Sequence, residues 1–293
     1  MSANFPDPET LRAVLTLSNR APSVDNSQPW RWRVGPDSLH LYADASRHLP
    51  RTDPDRRDLL LSCGSALHHC TVGLAAMGWH AKVDRLPDPG DPDHLATIRL
   101  VRQPPGELDV MLAAAIGRRR TDRRNYSSWP VPWGDIALMG ARAARAGVML
   151  RQMDLLPRRR DVITGSGRNN PDSRPGEDNA VMVALGTEND DDLARLRAGE
   201  ATSLVLLSAT AMGLASCLVT EPLEVDENRE AVRAEVFGSS GHPQMLVRVG
   251  WAPVNADPLP ATPRRPLPET ADWSHDGAII ADPDLVGGVS RAG

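Results

Sequence analysis

Apolar residues recur with a helical period at the start of the chain: Leu11, Val14, Leu15 and Ser18 share one face, and Asp7-Pro8 supplies an N-cap followed by proline at the first helical position. This predicts a short helix to about residue 20. From Trp30 the period changes to two. Trp30, Trp32 and Val34 alternate with Arg31 and Arg33, Gly35-Pro36-Asp37 is turn chemistry, and Leu39 and Leu41 resume the alternation, so a hairpin is expected. Leu59, Cys63, Leu67, Cys70, Leu74 and Met77 then step by three or four, the pattern of a long, mostly buried helix closed by Gly78. Strands are expected at 79–86 and 96–101, joined by a Pro-rich connection.

The same order of elements returns. Gly64-x-Ala66 and Ala76-Met77-Gly78 recur as Gly199-x-Ala201 and Ala211-Met212-Gly213 at a constant offset of 135, each a helix, a glycine stop and a strand. Residues 201–220 are uncharged and long enough to suggest a membrane span. Six Ser and Thr residues and the break at Gly213 favour a core helix of about 14 residues running into a buried strand instead. The second half also predicts a helix over 108–116, a helix ending near Gly147, strands at 148–153, 181–185 and 244–249, and a flexible loop over 164–179. A Pro-rich extended arm follows to Pro268. The organisation is two halves, 1–106 and 107–268, with 269–293 as a loose tail.

Composition removes several classes of function. With 41% hydrophobic residues the chain can bury a core, and a net charge of −5 gives no global field for nucleic acid or anionic membrane. The three cysteines are too few for a disulfide scaffold, and the N-terminus lacks the basic and apolar regions of a signal peptide, so a cytoplasmic location is expected. Lys82 is the only lysine, which excludes a GK[ST] phosphate loop and leaves Schiff-base chemistry one candidate.

Two segments carry candidate chemistry. In the loop 21–30, Ser23, Asn26 and Gln28 offer donors and acceptors to a flat heterocycle, while Pro22, Pro29 and Trp30 supply rigid apolar surface. An ordinary polar loop with an Asx turn at Asn26 is the competing reading. In Arg118-Arg119-Arg120-Thr121-Asp122-Arg123-Arg124, guanidinium groups flank a hydroxyl in a way that suits a phosphate dianion, against the alternative of a solvated charged face. Arg264 and Arg265 form a second cationic point. The run Gly165-Ser166-Gly167 has Asn170 where a dinucleotide fingerprint needs glycine. Cys63, His68, His69 and Cys70 read as core or surface residues rather than metal ligands, and no metal is expected. Glu221 is a loop carboxylate on its own.

Taken together, these residues resemble the nitroreductase-like FMN flavoproteins, most closely the Acg type, in which two nitroreductase-like halves share one chain. The segment from Pro22 to Trp30 looks like the family's PSxxNxQPW loop. Arg119-Arg120-Thr121-Asp122-Arg123 looks like its RRSxR segment, and Gly213-Leu214-Ala215-Ser216-Cys217 looks like its GLxSC motif. Residues 243–250 and 263–267 match its closing strand and basic arm. The resemblance implies an α+β fold of two pseudo-repeated halves, each with a mainly antiparallel sheet flanked by helices, forming a pseudo-dimer within one chain. It also implies one FMN between the halves. Pro22, Ser23, Val24 and Asn26 would lie at its ring, and Arg119, Thr121, Arg123, Arg264 and Arg265 at its phosphate end. The implied activity is NAD(P)H-dependent two-electron reduction of nitroaromatic or quinone-type small molecules, by ping-pong hydride transfer through flavin N5. Glu221 is a candidate proton donor, and the implied alternative is a flavin-storing protein with little turnover. The segment 161–179 is shorter than the lid-bearing insertion of this type.

Overall fold

A computed structural model describes residues 5–153, 179–275 and 278–280. The first helix, α1 (Pro8–Ser18), starts where its cap predicts, with the Asp7 carboxylate accepting from the Thr10 backbone N–H at 2.9 Å. The expected hairpin follows as β1 (Trp30–Val34) and β2 (Ser38–Ala43). Trp30, Trp32, Leu39 and Leu41 are buried against α2 (Arg57–Ala76). Gly78, at φ 82°, turns the chain from α2 into β3 (Trp79–Arg85), which pairs with β4 (His94–Arg102).

The second half repeats this plan after α3 (Glu107–Arg118) and α4 (Trp133–Arg145). Its sheet holds β5 (Met149–Met153), β6 (Val181–Thr187), β7 (Ala215–Val219) and β8 (His242–Gly250), with α5 (Asp192–Ala211) between β6 and β7 and α6 (Asp226–Val232) before β8. Within the first sheet the order runs β1-β2-β4-β3, and in the second β5-β6-β8-β7. Both are first, second, fourth, third, and all these pairings are antiparallel.

The two halves meet along α2 and α5. A Cβ on Gly64 would lie 2.1 Å from the Leu196 carbonyl oxygen, and one on Gly199 would lie 2.1 Å from that of Leu61. Only glycine admits this approach of backbones. The helix α2 is long and apolar enough to cross a bilayer by composition, but Leu59, Leu60, Leu67 and Leu74 on it are buried in the protein core.

Two expectations change. The helix α5 begins at Asp192, well before the uncharged run, with Asp191 capping it through Ala194 N at 2.8 Å. Its period was masked because Glu200, buried in the helix, is held by Arg85 through paired bonds of 2.6 and 2.8 Å. The tail is not loose from 269: after α7 (Leu267–Thr270), β9 (Ala271–His275) pairs in parallel with β1, and β10 (Ala278–Ile280) pairs with β9. The open edge of β1 takes this strand, and Arg31 holds Asp272 at 2.9 Å while the Arg12 guanidinium lies over the Trp273 ring. The loop expected over 164–179 falls, up to residue 178, outside the described residues, as does most of the shortened 161–179 segment.

Candidate functional site

The loop after α1 is held in an unusual backbone path. Asp25, Asn26 and Gln28 have φ of 50°, 53° and 49°, a left-handed conformation that Asn and Asp tolerate best and that costs about 1 kcal/mol or more per residue. Surrounding bonds fix it. Ser23 Oγ accepts from the Gln28 N–H at 3.0 Å, and Ser62 Oγ on α2 accepts from the Val24 N–H at 3.2 Å. Arg47 Nε donates to the Ser27 carbonyl.

The C-terminal arm crosses back to this loop. Asn26 Nδ2 donates to the Pro263 carbonyl at 3.2 Å, while Arg264 donates to Asn26 Oδ1 at 3.0 Å and to the Arg20 carbonyl at 3.3 Å. The Arg265 N–H donates to Gln28 Oε1 at 2.7 Å, and its guanidinium reaches the Gln28 carbonyl and the Asp44 carboxylate, each at 3.1 Å. Asn26 thus holds the arm with both ends of its side-chain amide, and Gln28 with its Oε1, while Gln28 Nε2 donates to the Asn26 carbonyl at 3.1 Å within the loop. Pro22 is buried beside them, and Ser23 and Val24 are half-buried.

Arg264 brings the loop to the Arg-rich segment. Arg119, at the end of α3, is buried; its nearest polar neighbour in hydrogen-bond terms is Thr121 Oγ1, at 3.5 Å. The charges of Arg264, Arg120 and Arg20 add to burial in lowering the pKa of Arg119 to about 10, and burial with Arg20 and Arg120 does the same for Arg264. Arg119 and Arg264 both remain cationic at neutral pH. The Nε atoms of Arg20, Arg119, Arg120 and Arg264 are buried and have no hydrogen-bond partner among the described residues. The one acid within the Arg-rich run is diverted, because Asp122 binds Arg124 at 2.7 and 2.9 Å. With Arg119 buried and the other three half-buried, like charges around buried, unmet Nε–H donors are costly to fold unless an anion completes the group.

The other expected residues are placed around this cluster. Thr121 forms an isolated bridge with Ser216 at the start of β7, and Asp122 N donates to the Ser216 carbonyl at 2.9 Å, which ties the Arg-rich segment to the second sheet. Arg123 is exposed, and its charge acts on Cys217 rather than on the four-arginine cluster. Glu221 is exposed at the turn after β7.

Several contributing residues were missed from the sequence. Arg20 lies in the turn just after α1, the helix that corresponds to α3 in the first half, and that mirrored place was the available signal. His69 is fully buried, with Nε2 unpartnered; burial first, then Arg119, holds it neutral well below the usual histidine range. Near the Val24 loop, burial raises the Asp58 carboxyl to about 6 despite Arg57 at 2.8 Å, with Asp53 and Glu224 adding to the shift. Glu224 is likewise raised, first by burial and then by Glu221 and Asp25, against the Thr220 hydrogen bond. No local sequence pattern marks these carboxyls.

The fold and site therefore define a two-half α+β protein with a cluster of four arginines where the Arg-rich segment meets the loop and the arm. A nitroreductase family model matches residues 150–251. The chain is 53% identical to a Mycobacterium tuberculosis protein named "Putative NAD(P)H nitroreductase Rv3131", over 94% of this chain and 95% of that one. It is 34% identical to "Putative NAD(P)H nitroreductase acg" of the same organism, over 89% and 95%. A solved structure from Anabaena variabilis, described as a putative nitroreductase, shares the fold with a TM-score of 0.53 at 10% identity, covering 85% of this chain and 90% of its own. The chain belongs to the nitroreductase family.

Proposed function

We propose that the protein is an FMN-dependent oxidoreductase that takes electrons from NAD(P)H and delivers them in pairs to a nitroaromatic or quinone-type small molecule. The observation that carries this reading is the cluster of buried Arg119 with half-buried Arg20, Arg120 and Arg264, whose four Nε–H donors are buried and unpartnered among the described residues beside the Asn26 loop. A phosphate monoester dianion supplies the charge and acceptor oxygens this cluster lacks, so the residues present fit the cofactor. Names of the two mycobacterial relatives support NAD(P)H as the electron source.

Arg119 and Arg264 would hold the phosphate, with Arg20 and Arg120 adding charge. Pro22, Ser23 and Val24 would line the ring, and the Asn26 and Gln28 bonds to the arm keep the loop in its strained path. Bound FMN supplies the capacity to accept and donate a hydride. Asp58 and Glu224, with carboxyls that hold protons at higher pH than usual, are placed on the loop side of the site and are better suited than exposed Glu221 to keep a proton there.

Anaerobic addition of NADH or NADPH to the FMN-loaded protein tests the reading. Rapid bleaching of the flavin absorbance, followed by reoxidation with a quinone, is expected. A flavin that binds tightly and stays oxidised with both nucleotides would favour storage without turnover.

A further inference from the structure

Leu39, Leu41 and Ala43 of β2 face the core, so His40 and Tyr42 point to the opposite face of the first sheet. There His40 Nδ1 lies 3.1 Å from His94 Nε2, and Thr97 Oγ1 lies 3.2 Å from each of them. The three atoms form a nearly equilateral triangle. His40 is in register with Thr97, while a register shift between Leu41 and Tyr42 brings His94 opposite Tyr42 and within reach of His40. Tyr42 stacks on the His94 ring at 4.5 Å and 13°, which fixes its plane.

The proton positions on His40 follow from its neighbours. Ser38 Oγ donates to Asp37 Oδ1 at 2.9 Å, so at 3.2 Å from His40 Nε2 it accepts. His40 therefore carries its proton on Nε2, and Nδ1 presents a lone pair to the centre of the triangle. A carboxylate acting through a hydroxyl on the distal ring nitrogen is the arrangement that orients histidine as a metal ligand. Two imidazole nitrogens bound at about 2.0–2.1 Å to one ion, at an angle near 100°, are about 3.1–3.2 Å apart.

We propose that His40 Nδ1 and His94 Nε2 chelate one divalent cation of the late first transition row, Cu²⁺ most tightly, with the Thr97 hydroxyl at its side and water completing the shell. Imidazole pairs suit copper, nickel and zinc, and the affinity order places copper highest. Among the described residues no group of three or more His, Cys, Asp or Glu side chains converges on a metal position, so this is a two-imidazole site. It is separate from the arginine cluster, and its test does not depend on flavin.

The test uses the untagged, full-length protein, stripped with EDTA and titrated with CuCl₂ under calorimetry and electron paramagnetic resonance. One equivalent should bind with hyperfine splitting from two imidazole nitrogens, and Zn²⁺ should raise the melting temperature. His40→Ala and His94→Gln should each lower Cu²⁺ affinity at least tenfold and leave one coupled nitrogen, with far-UV circular dichroism unchanged. His94 is half-exposed, so its replacement tests the site even if His40→Ala fails to fold. No binding at a tenfold excess of Cu²⁺, or binding undiminished in a folded variant, would overturn the proposal and leave a simple hydrogen-bonded histidine pair.

Discussion

Asn26 Oδ1 accepts a hydrogen bond from Arg264 at 3.0 Å, joining a loop near the N-terminus to the arm that follows the last strand of the second half. The same amide donates to Pro263, so one side chain fastens the arm at two points. Asn26→Ala should cost about 1–3 kcal/mol and expose the arm. Limited proteolysis should cut the 253–263 segment faster than in the parent protein. An arm cut no faster would mean that Gln28 and Arg265 alone hold it.

Arg119 makes an opposite pair of predictions. Without an anion it is a buried cation among like charges, so Arg119→Met should stabilise the flavin-free protein by about 1–3 kcal/mol. The same change should weaken FMN retention at least tenfold. Urea unfolding of the apoprotein and dialysis of the loaded protein give the two readings; a destabilised apoprotein would show that Arg119 has a partner of its own.

Gly64 and Gly199 stand at reciprocal places in the crossing of α2 and α5. Alanine at either position puts a methyl group 2.1 Å from a carbonyl oxygen of the facing helix, so the helices must separate. Each substitution should cost about 3 kcal/mol or more, seen as a melting temperature lowered by several degrees or as insoluble expression. Losses below about 1 kcal/mol would contradict the close crossing.

Asp58 sets a pH dependence. Its folded carboxyl titrates near 6, above the ordinary 3.8, so its contribution to stability is complete below pH 3.8 and is lost as pH rises through 6. The loss is about 3 kcal/mol. Asp58→Asn should flatten this part of the stability profile between pH 4 and 7, measured by denaturant unfolding, even though Arg57 loses its partner and overall stability falls. An unchanged slope would place the titration elsewhere.

Much of the fold was legible because its elements keep one period throughout: the Trp30 hairpin and the α2 stripe have the expected extents within a few residues. The helix α5 was read too short because Glu200 interrupts its apolar face, and only the distant Arg85 makes that charge tolerable in a core. The strand β9 was unreadable for a different reason. Its five residues carry little periodicity, and the free edge of β1 that recruits it lies about 240 residues away in sequence. At the site, Arg119 and Arg264 were visible as basic residues beside turn chemistry. Their convergence, and the addition of Arg20, depends on α1 and α3 ending at the same place, which no local pattern encodes.

The central claim is that the four-arginine cluster is a phosphate clamp for a flavin whose ring lies at the Asn26 loop. It is tested most directly by comparing the affinities of FMN and riboflavin for the apoprotein by calorimetry, with Arg119→Ala and Arg264→Ala in parallel. FMN should bind at least a hundredfold more tightly than riboflavin, and each substitution should remove most of that difference while leaving riboflavin binding nearly unchanged. Equal affinities for the two flavins in the parent protein would contradict the account.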